Sequence, residues 1–235
     1  MSYYNAFKMD YKNIKYIKMS SYDNFTYFGA CDSFHYHIVN GLSQPYPREL
    51  DLVKKYLLEN PNRNNIFLDI GGHIGTTSLP YSRLFSSVYV YEPNKSNFNY
   101  LLKNIEFNKC TNIIAKNIGV FNKNTKGKII KHGNNSGCFY IKESNEKDAI
   151  TMNKLDDENI SGQVDFIKID TEGSELYVLE GAKNLINKYK PLIQVETNNC
   201  SNIFFNYDKK KIYDFLFEIG YKIYDDNGND PIFYY

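Results

Sequence analysis

The sequence predicts an open, mainly parallel α/β sheet with helices on both faces, preceded by an N-terminal extension. Three observations carry that prediction. From residue 66 onward, short β-branched and aromatic runs alternate with stretches whose apolar residues recur at helical spacing. Two of the strand-like runs, IFLDI and VDFIKID, are mostly apolar, as strands covered on both faces are. Each carries an acid at or next to its end, Asp69 and Asp170, just before a turn (GGHIG and TEG).

Taken in chain order, residues 1–60 are aromatic-rich and form an extension or cap, and residues 61–235 form the main domain. Within the extension, Phe34, Tyr36 and Ile38 alternate with His35, His37 and Val39, the period of a strand. Residues 48–60 then repeat apolar residues at helical spacing. The main domain opens with a strand at 66–70, the glycine turn and a helix over 76–85. SVYVYEP is the second strand, and NKSNFNYLLKNIEFN a helix with Phe98, Leu101, Leu102 and Ile105 on one face. NIIAKNIGV reads as a third strand, and 121–153 as short strands and loops. VDFIKID, a single helix SELYVLEGAKNLINKY, and PLIQVET follow. The helix KKKIYDFLFEIG and a closing strand pair, YKIYDD with PIFYY, complete the sheet.

Charge excludes some partners. With 28 basic against 27 acidic residues the net charge is +1, so no overall field draws the chain to nucleic acid or to a membrane surface. No run reaches the roughly 20 apolar residues of a membrane helix. The four cysteines lie far apart with no CxxC spacing, which suits free thiols in a reducing compartment: the cytoplasm, or a host cytoplasm for a viral source. Heavy use of Asn, Lys, Tyr and Ile without any Trp fits an AT-rich genome and says little about chemistry.

The turn after Asp69 has its glycines at 71, 72 and 75, which is not the GxGxxG of a dinucleotide fold. Missing side chains there let a ligand approach the backbone N–H groups. An acid before the turn repels a diphosphate and attracts a cation, and S-adenosylmethionine carries both an ammonium and a sulfonium. Glu92 ends the next strand, where a carboxylate can accept both ribose hydroxyls of an adenosyl group.

IFLDIGGHIGTTS, VYVYEPNKSNFNYLLKNI, LDD at 155–157 and VDFIKIDTEGSELYVLEGA together resemble the FkbM-type methyltransferases in order and spacing, over about 64–197. The family more often carries Ala-Asn where this chain has Gly72-His73. The resemblance implies a Rossmann-like, seven-stranded class I methyltransferase sheet that uses S-adenosylmethionine to methylate a hydroxyl. It implies a cofactor site built from Asp69, Gly71, Gly72, His73, Ile74, Gly75, Glu92, Pro93, Asn117, Gly119 and Asp170.

Methyl transfer to an alcohol requires alignment and a base for the hydroxyl proton. Asp170 is the first candidate base, Glu172 the second and His73 the third. Two adjacent carboxylates can push one pKa upward, which favours a base near neutral pH. Glu196, His35 and His37 are expected on the acceptor side. Lys168 is read as the partner of a nearby carboxylate and not as a catalytic group, and Asp156 and Asp157 as a helix cap. No complete ligand set points to a metal. The expected acceptor is a small molecule or carbohydrate, most specifically a sugar or glycan hydroxyl, with neither nucleic acid nor membrane as partner. The alternatives are an RNA 2′-O-methyltransferase and an inactive methyltransferase-fold binding subunit. Oligomeric state is not readable.

Overall fold

A computed structural model describes residues 17–20, 25–29, 47–133 and 136–235. The sequence-predicted strand around Phe34–Ile38, with His35 and His37, lies outside them.

Two short strands come first, β1 (Ile17–Ser20) and β2 (Thr26–Gly29), paired antiparallel. Helix α1 (Pro47–Glu59) follows, then β3 (Ile66–Ile70), α2 (Ser78–Tyr81), β4 (Ser87–Tyr91), α3 (Lys95–Phe107) and β5 (Ile113–Lys116). The strands β6 (Gly119–Val120), β7 (Thr125–Lys131), β8 (Phe139–Glu143) and β9 (Ile150–Asn153) form a separate sheet in the order β6-β9-β7-β8. The chain then returns through β10 (Val164–Ile169), α4 (Glu175–Gly181), α5 (Lys183–Tyr189), β11 (Leu192–Val195), α6 (Cys200–Phe205), α7 (Lys210–Glu218), β12 (Lys222–Asp225) and β13 (Ile232–Tyr234).

The main sheet has seven strands in the order β12-β13-β11-β10-β3-β4-β5. The five strands from β11 to β5 are parallel, and β13 and β12 close one edge antiparallel. This is the sheet of the class I methyltransferase fold. Successive strands run outward in both directions from β3 and β10, so strand order reverses between these two. A crevice at their carboxyl ends is where such sheets bind ligands.

Alternation along β3 and β10 separates two cores. Leu68, Ile70, Ile167 and Ile169 meet Val178, Leu179, Ile186, Ile212 and Leu216 from α4, α5 and α7. Phe67, Phe166, Leu192 and Ile232 meet Val53 of α1, Leu79 and Tyr81 of α2 and Leu101 of α3 on the other face. Phe25 and Tyr27, beside and within β2, join that second core, and β2 is held by α3. Asn104 accepts from Phe28 N (2.7 Å) and donates to Phe28 O (3.0 Å), so its amide substitutes for a neighbouring strand.

Three expectations need correction. The helix at 76–85 shortens to α2, because the Asn112 amide takes the carbonyls of Ser82 (2.8 Å) and Phe85 (2.9 Å) and ends the helical run. The third strand bends at 117–118, so β5 stays in the main sheet and β6 joins the second one. The single helix at 174–189 breaks at Ala182, where Asp156 accepts from Leu185 N (2.8 Å) and Asn184 N (3.1 Å) and caps α5. The cap expected of Asp156 therefore serves a helix distant in sequence.

Candidate active site

The cleft opens where β3 and β10 end. Its floor includes Ile70, Gly71, Gly72 and His73 after β3, and Asp170, Thr171 and Glu172 after β10. The two corners touch: Asp170 N donates to Ile70 O (2.9 Å), and a Cβ on Gly71 would sit 1.8 Å from Asp170 O. Gly71 is thus required by close approach, and its φ of +87° suits glycine alone. Ile129, Phe139 and Ile141 from the second sheet wall the cleft, with Pro93, Ile118 and Val120.

Glu92 anchors one end. His73 N donates to its Oε2 (2.8 Å) and Asn94 N to its Oε1 (2.7 Å). The Asn97 side chain is a further donor, and a carboxylate has about four lone-pair sites, so Glu92 is still able to accept. Burial raises its pKa to about 8 despite these bonds. His73 sits at φ 51°, with Nε2 2.8 Å from Ser136 Oγ.

At the other end, Lys168 Nζ lies 2.7 Å from Asp170 Oδ2, and both residues line the cleft. Burial, with repulsion from Asp170 next, raises Glu172 to about 7. The buried Glu175 carboxylate fixes this corner, accepting through Oε1 from Thr171 N (3.0 Å), Thr171 Oγ1 (3.0 Å) and Gly173 N (2.9 Å). Glu196 follows β11 and reaches the same space. Its Oε2 is buried without a hydrogen-bond partner, and burial together with the Asp170 charge raises its pKa well above the ordinary range.

The family model of the methyltransferase FkbM domain matches residues 69–223, more than half of the chain. The chain belongs to the FkbM methyltransferase family. It is similar to a solved FkbM methyltransferase of Methylobacillus flagellatus KT (21% identity, TM-score 0.52), with 74% of this chain and 44% of that one covered. It is also similar to Trm5b of Pyrococcus abyssi (14% identity, TM-score 0.52), with 95% of this chain and 56% of that one covered. At these identities the likeness is one of fold, and the chain spans about half the length of either structure. No curated protein matches the chain in sequence.

The cofactor of this FkbM methyltransferase is S-adenosylmethionine, and the residues present fit it. Glu92 has acceptor capacity left for hydroxyls, the apolar walls give a slot for a flat base, and the bare glycine corner leaves room for the tail. The corner works differently from the expectation, however. Gly71 N (2.9 Å) and Gly72 N (3.1 Å) both donate inward to Tyr91 O, so they offer a ligand space and no N–H groups. The ammonium of the tail needs acceptors and loses nothing by this, whereas its carboxylate takes no donor from Gly71 or Gly72.

Gly71, Gly72, His73, Glu92, Pro93, Gly119, Asp170, Glu172 and Glu196 all line the cleft of the FkbM methyltransferase. Four sequence candidates do not. Asp69 is fully buried beneath Gly72, and its Oδ2 accepts from Ser78 Oγ; it faces the α1–α3 side of the sheet with Phe67. Burial raises its pKa. Ile74 is core, and Gly75 is small because Leu79 and Leu101 pack over it. Asn117 points back, donating to the carbonyls of Glu92 (2.8 Å) and Pro93 (3.0 Å), so it shapes the Glu92 loop from behind.

Lys168 pairs with Asp170, the kind of carboxylate partner expected of it, and lines the cleft beside it, since residues two apart on a strand share a face. Three residues escaped the sequence reading. Glu175 lies in the diagnostic motif itself. His132 and Cys200 converge on Glu172, with His132 Nε2 and Cys200 Sγ each 3.3 Å from its Oε2, from segments 40 and 28 residues away. No sequence pattern links those positions.

Proposed function

We propose that this FkbM methyltransferase transfers a methyl group to a hydroxyl, and that the acceptor is a sugar or glycan. The observation that carries the reading is the pairing of two different carboxylate sites at the ends of one cleft. Glu92, bonded to two backbone N–H groups, suits the nucleoside; the Asp170 end supplies the carboxylate paired with Lys168 and the buried Glu196 Oε2, oxygens suited to a hydroxyl.

S-adenosylmethionine supplies, when bound, a methyl group on a positively charged sulfur that departs as a neutral thioether. The protein's share is alignment and proton handling, the former worth on the order of 7–11 kcal/mol in favourable cases. Asp170 takes the hydroxyl proton, Lys168 holds that carboxylate in place, and Glu196 accepts from a neighbouring hydroxyl through its free Oε2. Both sugar-like acceptors and carboxylate partners favour several hydroxyls presented together. Balanced charge argues against a polyanionic acceptor such as RNA. The described cysteines Cys110 and Cys200 are free, in keeping with a reducing cytoplasm, and no helix among the described residues is long and apolar enough to cross a membrane. We read residues 1–60 as a cap on the 61–235 domain.

The test is methyl transfer from labelled cofactor to nucleotide-sugars, free sugars, oligosaccharides and RNA, with calorimetry alongside. Asp170→Asn is expected to bind cofactor and lose turnover, and Glu92→Ala to lose cofactor. Transfer to RNA alone would replace the sugar reading, and cofactor binding without transfer to any acceptor would favour a binding subunit.

A further inference from the structure

Glu172 stands at the acceptor side of the cleft, and two residues of no assigned role meet it there. His132 follows β7, Glu172 forms the corner after β10, and Cys200 opens α6. His132 Nε2 and Cys200 Sγ each lie 3.3 Å from Glu172 Oε2, and the three potential ligand atoms are all within 4.8 Å of one another.

These spacings are those of a coordination shell. Zinc binds N and O at about 2.0–2.2 Å and S at about 2.3 Å, so neighbouring ligand atoms of a tetrahedral site stand roughly 3.3–3.6 Å apart. Two of the three edges already have that length. The third, from His132 Nε2 to Cys200 Sγ, is no longer than 4.8 Å.

The positions are built from the backbone outward. His132 N donates to Cys138 O (3.1 Å), and its ring packs on Phe204 with centroids 4.7 Å apart. Glu172 is in the left-handed region (φ 56°), an uncommon conformation for a residue with a side chain. Gly173 lets the α6 start press against this corner, since a Cβ there would come 2.8 Å from Cys200 C. Cys200 N donates to Asn198 Oδ1 (2.8 Å). The charge is also right for a cation: the Asp170 and Glu175 carboxylates repel that of Glu172, and those of Glu172, Glu196 and Glu175 surround Cys200.

We propose that His132, Glu172 and Cys200 form a binding site for a zinc-class divalent cation. Imidazole, thiolate and carboxylate together select a borderline-soft metal over magnesium or calcium. Binding forms a sulfur–metal bond and releases the thiol proton, which the apo protein directs at Glu172, to solvent. Three protein ligands leave a fourth position, for water or an acceptor oxygen. The cation ties three separate segments together beside Asp170. This site does not depend on which acceptor is methylated.

The experiment is a cobalt(II) titration of metal-stripped full-length protein, followed by zinc displacement. One equivalent is expected to produce a thiolate-to-cobalt charge-transfer band with the visible bands of four-coordinate cobalt, lost on adding zinc. Cys200→Ser is expected to abolish the charge-transfer band. His132→Gln is expected to weaken binding by more than the roughly 10–100-fold that loss of an outer-shell partner costs. Cys110→Ser, remote from the cluster, is expected to leave both intact. If Cys200→Ser does not fold, His132→Gln decides. No charge-transfer band at one equivalent, a band surviving Cys200→Ser, or unchanged affinity in His132→Gln would overturn the proposal, leaving a thiol–carboxylate hydrogen bond and nothing more.

Discussion

Lys168 and Asp170 close a pair of 2.7 Å at the carboxyl end of one strand, with the lysine side chain almost wholly buried and the aspartate 19% exposed. A buried ammonium is tolerated only when its charge is met, and here the partner is the carboxylate proposed to receive a proton. Lys168→Met removes the charge opposite Asp170 and is expected to destabilise by about 3 kcal/mol, the lower end for a broken buried pair because Asp170 keeps some solvent. Asp170→Asn is expected to reduce turnover by about 10²–10⁴-fold, the usual worth of a positioned base. Urea denaturation beside single-turnover rates separates the two effects. Full turnover in Lys168→Met would make the lysine purely structural.

Glu92 gives the fold a pH dependence of defined sign. Its pKa is raised from 4.5 to about 8 by burial, so between those values the folded protein binds more protons than the unfolded chain. Stability of the cofactor-free protein therefore falls as pH rises from about 4.5 to about 8. Hydroxyl donors favour the ionised carboxylate, so cofactor binding should release a proton below pH 8. Affinity should then strengthen with pH, by up to about tenfold per pH unit. Calorimetry in buffers of different ionisation heat reads the proton directly, and Glu92→Gln is expected to remove both trends. A pH-independent affinity would mean that Glu92 does not meet the hydroxyls ionised.

The sheet was legible in the sequence because β3 (IFLDI) and β10 (VDFIKI) are short, mostly apolar runs that end on turns, as strands buried on both faces do. Glu92 was legible for a related reason, since a carboxylate closing an otherwise apolar strand has few roles in folding. Asp69 misled by the same logic. It too closes such a strand, yet it turns under Gly72 to accept from Ser78, a choice fixed by side-chain direction and invisible in a pattern of residue types. The apolar cleft wall was missed because Ile129, Phe139 and Ile141 come from short strands whose pairing is non-local. His132 and Cys200 were hidden for the strongest reason: they are unremarkable alone and acquire meaning only from the corner they share.

Glu175 is the residue on which that corner rests. Three donors converge on its Oε1, and Tyr207 Oη, which donates to Gly173 O at 2.7 Å, lies 3.4 Å from Oε2. Glu175→Ala leaves buried N–H groups without an acceptor, at about 1–3 kcal/mol each. A loss of about 3 kcal/mol is expected, with turnover falling further than cofactor affinity because Glu92 is untouched. Tyr207→Phe removes the hydroxyl that donates to Gly173 O and accepts from Leu176 N, and is expected to cost about 2 kcal/mol. Denaturant midpoints check both, and equal values for the two variants would show that the corner does not depend on the carboxylate.

Gly71 and Gly228 share nearly the same left-handed backbone, φ +87° and +85°, in opposite surroundings. A Cβ at Gly228 meets nothing within 4 Å, so Gly228→Ala pays only the conformational penalty of about 1–2 kcal/mol. At Gly71 the same methyl would sit 1.8 Å from the carbonyl oxygen of Asp170, the residue whose N–H joins the two strand ends. Gly71→Ala must therefore separate β3 from β10 at the cleft, adding a steric cost to the conformational one. A loss exceeding that of Gly228→Ala by about 2 kcal/mol or more is expected, together with loss of cofactor binding. Guanidinium denaturation of the two variants side by side isolates the contact, because the backbone term cancels. Equal destabilisation would mean that the corner yields, and that the strand ends need not touch for the fold to hold.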